Sequence, residues 1–373
     1  MAPARTLLGR AILTIAAAGV AIAVVLGTAT LRNLRFSSPA GGSSSAPTAE
    51  VAVHLPGEVY QLAFDRSRDA MWFAYMAGGE GDWLYKLDLS TLSLQHWALP
   101  TYEGNGFLSQ VLVGQDGSIW VDEDYRIIRF TPETAKVATL DLDLKVPGAL
   151  PSALDPNSVN PGTWVSAMAT TPDGVVIGRQ GVPFLTNISN ELVASKGVPL
   201  PLGFTGCRDV AELPDGSIAI LSGLSDPGRV AVLTGGGAVK SEWPITDISG
   251  NSRFAVDAAG GIVVSQAPAL ALESNGAVGP LVAADPKLIA SAVAADPRGG
   301  LSLFDGIASV MYRIDNGQIV STVSLPTIEG YVQHLGPPVQ GVAYPDVRAM
   351  AVDSTGMTWF IVGRDGTLMR TNL

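Results

Sequence analysis

One short sequence block occurs seven times along the chain, and its spacing constrains the fold more than any other feature. Each copy has an apolar residue, then alanine in six of the seven copies, two further residues, a tight turn and a β-rich run. The copies begin at Leu62, Val111, Met168, Val210, Phe254, Val293 and Met350. Successive turns are 39 to 57 residues apart. Because four short strands per 40–50 residues are typical of a propeller blade, the sequence predicts an all-β, seven-bladed β-propeller.

The repeats occupy residues 51–373, which the sequence predicts to be a single propeller domain of about 46 residues per blade. The formal net charge of −11 argues against nucleic acid as a partner, because binding to phosphates needs a basic face. Cys207 is the only cysteine, which excludes an intrachain disulfide and a cysteine-based zinc site.

The first fifty residues have a different character. Residues 11–31 contain no charged residue and would extend about 30 Å as a helix, which matches the hydrocarbon core of a bilayer. We predict that residues 1–35 form an uncleaved signal anchor with one transmembrane helix, and that residues 36–50 form a flexible linker. The propeller is then extracytoplasmic on a single-pass membrane protein, or secreted if the signal is cleaved.

The last blade has too few residues for four strands, because the chain ends at Leu373. Residues 51–56 precede the first blade and are similar to outer strands that end in Leu-Pro. We expect this N-terminal strand to complete the last blade, which closes the ring and covers an open sheet edge.

We label the strands of a blade a to d from the axis outwards. Strand a contains the repeated alanine, since large side chains do not fit where seven strands converge. Strand b carries aromatic residues that we predict to be core, namely Trp72, Phe73, Trp120, Trp359 and Phe360. The d–a and b–c connections share one face of the ring, here called the loop face. The a–b turns lie on the opposite face, here called the turn face.

Two long d–a connections, residues 146–163 and 327–346, are candidates for a binding site, because loops on a rigid scaffold often carry function. The second contains Tyr331, His334 and Tyr344. His334 is the one histidine outside the predicted outer strands, and therefore the candidate acid–base histidine. In the alternative interpretation, both loops only cover the channel mouth.

A polar residue lies eight positions before each turn, at the predicted entrance to the channel. These residues are Tyr60, Ser109, Ser166, Arg208, Ser252, Ser291 and Arg348. Arg253 adjoins this column, and Arg179 and Arg364 are predicted in b–c loops. With Tyr60, Tyr331 and Tyr344, these arginines favour a small anionic or polyhydroxylated ligand. In the alternative interpretation, neighbouring aspartates only neutralise the arginines.

Three consecutive acidic residues, Asp122, Glu123 and Asp124, are predicted in the b–c loop of blade 2. The oxygens of Asp122 and Glu123 are the kind of ligand that a divalent cation such as Mg or Ca prefers. The alternative is a solvated acidic turn without a cation. The sequence contains no nucleophile elbow, His-Glu-x-x-His motif or phosphate loop.

Residues 115–123 and 127–134 resemble a blade of the streptogramin (virginiamycin B) lyase-like propellers, as do residues 351–360 and the pair Trp72-Phe73. That family repeats Asp-Gly-x-x-Trp-Phe-Thr-Glu followed by an Ile-Gly-Arg-Ile strand. The same pattern overlaps with NHL-type and gluconolactonase-like propellers. The resemblance implies the seven-bladed fold and, for the lyases, elimination that opens a cyclic peptide lactone with a histidine, a glutamate and magnesium.

Glu123 matches the position of the glutamate in the lyase motif, but Asp124 and Tyr125 follow it where a histidine would be expected. The resemblance therefore leaves His334 as the base. Two functions remain open, beside a purely structural role without a ligand. The first is a membrane-anchored, extracytoplasmic propeller that binds a protein or a small ligand at its loop face. The alternative is a metal-assisted lyase or lactonase that uses Glu123, His334 and nearby arginines in the channel mouth.

Overall fold

A computed structural model describes most of residues 49–373. The described residues are 49–55, 59, 61–76, 82–100, 108–142, 149, 164–222, 228–245, 253–257, 260–265, 269–272, 278–306, 308–325, 347–362 and 366–373. The predicted signal anchor, most of the linker and both long d–a connections, except Ala149, therefore lie outside the described residues. No helix in these ranges has the length and hydropathy needed to cross a membrane.

The described residues form seven antiparallel sheets of four strands each, which confirms the predicted seven-bladed propeller. Blade 1 contains β2 (Ala63–Asp65), β3 (Ala70–Met76), β4 (Asp82–Asp88) and β5 (Leu94–Ala98). Blade 2 contains β6 (Leu108–Val113), β7 (Ile119–Glu123), β8 (Arg126–Thr131) and β9 (Lys136–Asp141). Blade 3 contains β10 (Val165–Thr171), β11 (Gly174–Arg179), β12 (Phe184–Ser189) and β13 (Ala194–Pro199).

Blade 4 contains β14 (Cys207–Glu212), β15 (Ile218–Ser222), β16 (Arg229–Leu233) and β17 (Val239–Pro244). Blade 5 contains β18 (Phe254–Val256), β19 (Ile262–Val264), β20 (Leu270–Leu272) and β21 (Val278–Pro280). Blade 6 contains β22 (Ala292–Ala295), β23 (Leu301–Asp305), β24 (Val310–Asp315) and β25 (Gln318–Ser324). Blade 7 contains β26 (Val347–Val352), β27 (Met357–Val362), β28 (Thr367–Asn372) and β1 (Ala49–His54).

The N-terminal strand closes the ring as the sequence predicts. β1 is the outermost strand of blade 7 and pairs antiparallel with β28, from Ala49 opposite Thr371 to His54 opposite Thr367. The strand begins at Ala49, two residues earlier than predicted. Nε of Arg370 donates a hydrogen bond of 2.6 Å to the carboxylate of Glu50 at this seam.

The hydrophobic core is divided among the contacts between neighbouring blades. Seven clusters of buried side chains occur, and each joins two adjacent blades, including blade 7 with blade 1. The predicted aromatic wedges are nearly inaccessible to solvent and belong to these clusters, for example Trp72, Trp120 and Trp359. Each blade therefore depends on both neighbours for the burial of its apolar faces.

The a–b turns of several blades are organised by an aspartate at the end of strand a. One carboxylate oxygen of Asp65 accepts a bond from the turn backbone, and the other accepts Nε1–H of Trp72 at 3.1 Å. Asp353 does the same in blade 7, where Nε1 of Trp359 is 2.8 Å away. Burial opposes ionisation of Asp65, but its hydrogen bonds outweigh this and lower its pKa. One buried side chain thus connects the turn to strand b.

Arginines on the turn face connect consecutive blades. Arg298 is ion-paired with Asp296 in its own blade at 2.7 Å. Its guanidinium also donates hydrogen bonds to the carbonyl oxygens of Thr355 at 2.7 Å and of Gly356 at 3.4 Å, in the a–b turn of blade 7. Arg68, in the corresponding turn of blade 1, contacts a glutamate of blade 2. These bonds join turns that belong to different repeats.

Candidate functional site

A cavity of about 1420 Å³ lies among the inner strands, and all seven blades contribute residues to its wall. Its lining extends from Asp209 and Arg253, near the loop-face start of their strands, to Gln115 and Gly216 in the a–b turns. Blade 1 contributes Gln61. The cavity therefore runs along the strands from one face of the ring toward the other, and we call it the central channel.

The predicted polar column coincides with a β-bulge in strand a. The pairing register shifts at the same place in β6, β10, β14 and β26. The residues at the shift are Ser109 with Gln110, Ser166, Arg208 and Arg348. A bulge leaves a residue out of the regular ladder and re-aims its side chain, which explains why polar residues occur at this point of an otherwise apolar strand.

Arg208 has an unusual environment. Its side chain is half-buried, Nε is shielded from solvent, and the guanidinium has no hydrogen bond or ion pair within the described residues. Burial, followed by the neighbouring Arg253, lowers the pKa of Arg208 to about 10. The group thus stays charged at neutral pH, although burial without an acceptor is unfavourable. Arg253 is exposed and lines the channel beside it.

Asp209 lies between these arginines in sequence and space, but its carboxylate is bonded to backbone groups. It accepts hydrogen bonds from the backbone N–H of Phe254 in the next blade at 2.6 Å and of Val210 at 3.0 Å. Gln61 occupies the equivalent position in blade 1 and accepts the backbone N–H of Val111 in blade 2 at 3.1 Å. Each of these side chains thus accepts a backbone N–H group on the inner edge of strand a in the next blade, where no further strand supplies an acceptor. Burial raises the pKa of Asp209, although Arg253 and the backbone bonds oppose this.

The turn-face end of the channel carries acidic side chains. Glu212 and Asp257 line it there. Glu212 is half-buried and makes no hydrogen bond or ion pair within the described residues, and burial raises the pKa of its carboxyl. One carboxylate oxygen of Asp257 accepts the backbone N–H of Gly261 at 2.7 Å. Acidic side chains thus line both ends of the channel, and Arg253 lies beside Asp209 at the loop-face end.

The acidic triplet of blade 2 does not form a solvated turn. Asp122 and Glu123 belong to β7 rather than to the b–c loop, and both are buried. Consecutive strand residues point to opposite faces of a sheet, so the two carboxylates leave β7 on opposite sides. Asp122 accepts the backbone N–H of Gln110 at 2.6 Å, whereas Glu123 is hydrogen-bonded to Asp82 of blade 1. Burial raises the pKa of Asp82.

Glu123 also approaches Arg126, whose Nη1 lies 3.8 Å from Oε2. Arg126 forms a closer ion pair with Asp141, at 2.6 Å. Glu123, Asp82 and these two residues lie at strand ends on the loop face, where β4 and β8 begin and β7 and β9 end. Among the described residues, no group of three or more His, Cys, Asp or Glu side chains is arranged to hold a metal ion.

Some of the remaining predicted site residues belong to the described part of the chain, and the others do not. Arg179 is the last residue of β11 rather than part of the b–c loop, and its side chain is buried. Arg348 lies in β26 at the bulge. The other predicted residues lie outside the described part of the chain, namely Tyr60, Tyr331, His334, Tyr344 and Arg364. Arg208 and Arg253 are therefore the predicted ligand contacts that the described residues bring together.

Sequence reasoning missed Glu212, Gln61 and Asp82. Glu212 follows the repeated alanine directly, and it is the only charged residue at that position among the seven copies, which is a signal that could have identified it. Gln61 lies two residues before the alanine, at the same position as Asp209 and Arg253. Asp82 begins strand c of blade 1, and its contact with blade 2 depends on how the sheets stack, which no local pattern reports.

The chain matches no protein-family profile and no curated protein. It is similar to solved propeller structures of low sequence identity. A streptogramin B lyase structure superposes over 88% of this chain and 100% of its own, with a TM-score of 0.62 and 13% identity. A catalytically inactive variant of virginiamycin B lyase from Staphylococcus aureus with quinupristin gives a TM-score of 0.63, 13% identity, and coverage of 88% and 99%.

A chain of a mitotic checkpoint complex also superposes, with a TM-score of 0.59, 10% identity, and coverage of 91% of this chain and 98% of that chain. Fold and channel together define a seven-bladed β-propeller with a charged central channel. The streptogramin B lyase structures share that fold, which confirms the resemblance found in the sequence at the level of architecture.

Proposed function

We propose that this protein is a ligand-binding propeller that takes a small anionic ligand at the loop-face end of its central channel. The observation that carries the proposal is Arg208, a half-buried guanidinium without an acceptor in the described residues. It lies beside a second arginine, Arg253, on the channel wall. Two adjacent cations repel each other, and a bound anion would relieve both this repulsion and the missing hydrogen bonds.

The bonding of Asp209 supports this proposal. A carboxylate that served only to neutralise the arginines would direct its oxygens at their guanidinium groups. Instead, both oxygens of Asp209 accept backbone N–H groups, and no ion pair joins Asp209 to Arg208. The donors of Arg208 thus remain available for the carboxylate, phosphate or sulfate group of a ligand, which a planar guanidinium binds through two parallel bonds.

The test uses the full-length chain in detergent, titrated with inorganic phosphate and with acetate by calorimetry and thermal shift. We expect anion binding to stabilise the protein, and we expect R208Q or R253Q to weaken binding at least tenfold. The control is R66Q, because Arg66 is exposed in the a–b turn of blade 1, away from the channel. Equal affinity in wild type and R208Q, or no binding by any anion, would overturn the proposal.

A metal-assisted lyase or lactonase is the second candidate, and the buried contact between Glu123 and Asp82 favours it. Burial raises the pKa of Asp82, which favours its protonated form, as a general acid requires. His334 would supply the base, and a divalent cation such as Mg or Ca would polarise the substrate. We expect Mg²⁺ or Ca²⁺ to raise the melting temperature of the wild type but not of E123Q or H334A. Stabilisation of these variants equal to that of wild type would contradict this candidate.

We also propose that residues 1–35 anchor the protein in a membrane, with the propeller extracytoplasmic on the linker. The support is the uncharged segment of residues 11–31 between flanking arginines. We expect the full chain to remain in the membrane pellet after alkaline extraction, and a chain without residues 1–35 to be soluble. Protease added outside intact cells should digest the propeller. Protection of the propeller under these conditions would reverse the proposed orientation.

A further inference from the structure

The outer strands of blade 1 carry four aromatic rings on one face of the sheet. Tyr75 of β3 lies opposite Trp83 of β4, and Tyr85 of β4 lies opposite His96 of β5. The ring centroids of Tyr75 and Tyr85 are 6.3 Å apart, those of Tyr85 and His96 are 5.4 Å apart, and those of Trp83 and His96 are 5.0 Å apart. These distances are typical of aromatic contacts. We call the four residues the blade 1 aromatic patch.

Packing fixes the base of the patch. Tyr75 and Tyr85 pack against the core cluster between blades 7 and 1, and the ring of Phe73 lies parallel to that of Tyr85 at a centroid distance of 5.4 Å. Trp83 is half-buried and His96 is exposed. The rings are therefore held in place on rigid strands, while part of the patch is open to solvent, and little side-chain freedom would be lost when a ligand binds.

The propeller fold does not require aromatic residues at these positions. In blades 2 and 4 the pairing register places no aromatic residue at the four equivalent positions, which are Glu123, Arg126, Ile128 and Thr139 in blade 2 and Ser222, Arg229, Ala231 and Glu242 in blade 4. Blades 3 and 6 have one aromatic residue each, Phe184 and Tyr312. The patch is therefore a local feature of blade 1 and not a part of the repeat.

The polar atoms of the patch are available to a ligand. The hydroxyl groups of Tyr75 and Tyr85, Nε1 of Trp83 and the imidazole of His96 make no hydrogen bond within the described residues. Nε1 of Trp83 and both hydroxyl groups remain accessible to solvent, in contrast to Nε1 of Trp120. Burial, followed by the neighbouring Tyr75, raises the pKa of Tyr85. The patch thus combines apolar ring faces with hydrogen-bonding groups at the ring edges.

The same face of β3, β4 and β5 contains no Asp, Glu, Lys or Arg. The pairing register continues the patch with apolar residues, namely Met71, Leu87 and Leu94. Asp82 and Lys86 alternate with the rings along β4 and therefore point to the opposite face. An ion would find no opposite charge on these strands, so the lining suits a neutral ligand.

We propose that the blade 1 aromatic patch binds a neutral sugar through one or two pyranose rings. One face of a pyranose presents mainly C–H groups, which stack on aromatic rings, and its hydroxyl groups form hydrogen bonds with the ring edges. Neighbouring strands are about 4.8 Å apart, so the patch extends about 10 Å from β3 to β5, which suits a mono- or disaccharide. The four rings are not among the residues that line the central channel, so this site is separate from the proposed anion site.

The experiment is calorimetric titration of the full-length chain with neutral tetrasaccharides of glucose, galactose, mannose and N-acetylglucosamine. The detergent is a polyoxyethylene ether, because a maltoside detergent would itself present sugar rings to the patch. We expect at least one tetrasaccharide to bind, and W83A to weaken its binding about tenfold or more through the loss of stacking. The double variant Y75F/Y85F keeps every ring and should weaken binding about threefold to tenfold, because only two hydroxyl groups are lost.

The matched control is F184A, because Phe184 occupies the position of Trp83 in blade 3, and this variant should bind the sugar as wild type does. Binding by none of the four tetrasaccharides, or equal binding by wild type and W83A, would overturn the proposal. If W83A does not fold, equal binding by wild type and Y75F/Y85F would overturn it.

The outcomes also separate this site from the anion site. Saturating phosphate should leave the affinity for the sugar unchanged, because the anion site is in the channel. Displacement of the sugar by phosphate would assign the sugar to the channel and contradict the patch proposal. Sugar binding that is lost in W83A, without any binding of phosphate, would support the patch while the anion site is wrong.

Discussion

Trp120 and Trp359 occupy equivalent positions in blades 2 and 7, but only one of them has a hydrogen-bond partner for its indole N–H. Asp353 accepts this bond from Trp359, whereas the equivalent position in blade 2 is Gly114. Nε1 of Trp120 is buried and has no partner within the described residues. An arginine guanidinium lies over the indole ring in both blades, 5.7 Å from Trp120 and 5.4 Å from Trp359. The two sites therefore differ mainly in one hydrogen bond.

This difference gives a matched pair of variants. We expect W359F to destabilise the protein by about 1–3 kcal/mol more than W120F, because W359F leaves a buried carboxylate oxygen without its donor. W120F removes a donor that already lacks a partner, so its cost is the loss of packing alone. Equilibrium urea unfolding of the two variants measures the difference. Equal destabilisation would contradict the assigned role of Asp353.

Glu212 leads to a prediction about pH. Because burial raises the pKa of Glu212 in the folded state, the folded protein binds the proton more tightly than the unfolded chain, and stability falls as pH rises above the ordinary pKa near 4.5. We expect E212Q to lack this loss, and therefore to melt at a higher temperature than wild type at pH 7. The two proteins should melt alike at pH 4, where Glu212 is protonated in both states.

Melting curves of E212Q and of E191Q at both pH values provide the measurement, with E191Q as the control because Glu191 is exposed in the c–d turn of blade 3. A lower melting temperature of E212Q at pH 7 would mean that Glu212 has a stabilising partner. A gain in stability on substitution is the pattern expected for a residue retained for function.

The sequence predicted Arg208 as a site residue because its column is polar in every repeat, and Arg253 because it adjoins that column. It did not reveal that Arg208 lacks a partner, since this depends on where Asp209 directs its oxygens. The alternative interpretation, that neighbouring aspartates neutralise the arginines, stays open, because Asp209 attracts both guanidinium groups electrostatically. A bulge is also invisible in the sequence when the displaced residue is small and polar, as Ser166 is.

At the scale of the structural element, the a–b turns differ in what surrounds their glycine. Gly356 and Gly216 both have a positive φ, of 86° and 75°. A side chain at Gly216 would meet no atom within 4 Å, whereas a Cβ at Gly356 would lie 1.5 Å from the guanidinium carbon of Arg298. The turn of blade 7 therefore serves two functions: it reverses the chain and receives an arginine from blade 6.

We expect G216A to cost about 1–2 kcal/mol, because alanine in a left-handed conformation is strained. G356A has the same strain and also displaces Arg298 from its carbonyl acceptors, which adds about 1–3 kcal/mol. The difference should disappear when both substitutions are made in an R298A background. If it persists there, Arg298 is not the cause. Denaturant unfolding of the four variants measures these quantities.

Strands that follow an a–b turn ending in glycine were predictable as elements, because turn, alternation and aromatic wedge agree in β7 and β27. The end of β7 was predicted wrongly, because charged residues such as Asp122 and Glu123 are typical of loops in the sequence. Only the structure shows that both are buried and that Asp122 accepts a backbone hydrogen bond. In blade 5 all four strands have only three residues, too few for alternation to identify.

At the scale of the whole molecule, the ring is held by seven contacts of one kind. Each core cluster joins two blades, and the contact between blades 7 and 1 includes residues of β1, such as Val53. The number of blades and the closure by β1 were predictable, because the repeat length divides the chain and the last repeat lacks a strand. The position of each charged side chain along the channel was not predictable, because it depends on how seven separate strands are arranged around one axis.

We expect a chain that begins at residue 47 to unfold with the stability of the full-length propeller, because β1 is intact. A chain that begins at residue 55 loses β1, exposes the edge of β28 and uncovers part of a core cluster. Its melting temperature should fall by about 10 °C or more, or cooperative unfolding should be lost. Equal melting of the two truncated chains would mean that β1 does not contribute to closure.

The pairing of β1 with β28 also sets the two ends of the ring side by side, with Glu50 opposite Arg370. A short connection between these ends would let the chain be cut in any other connection while every strand kept its neighbours. Circularly permuted forms should then fold to the same ring, provided that the new termini lie in exposed loops. The natural order of the blades along the chain is therefore one of seven orders that give the same ring. A permuted chain could have its termini on any blade.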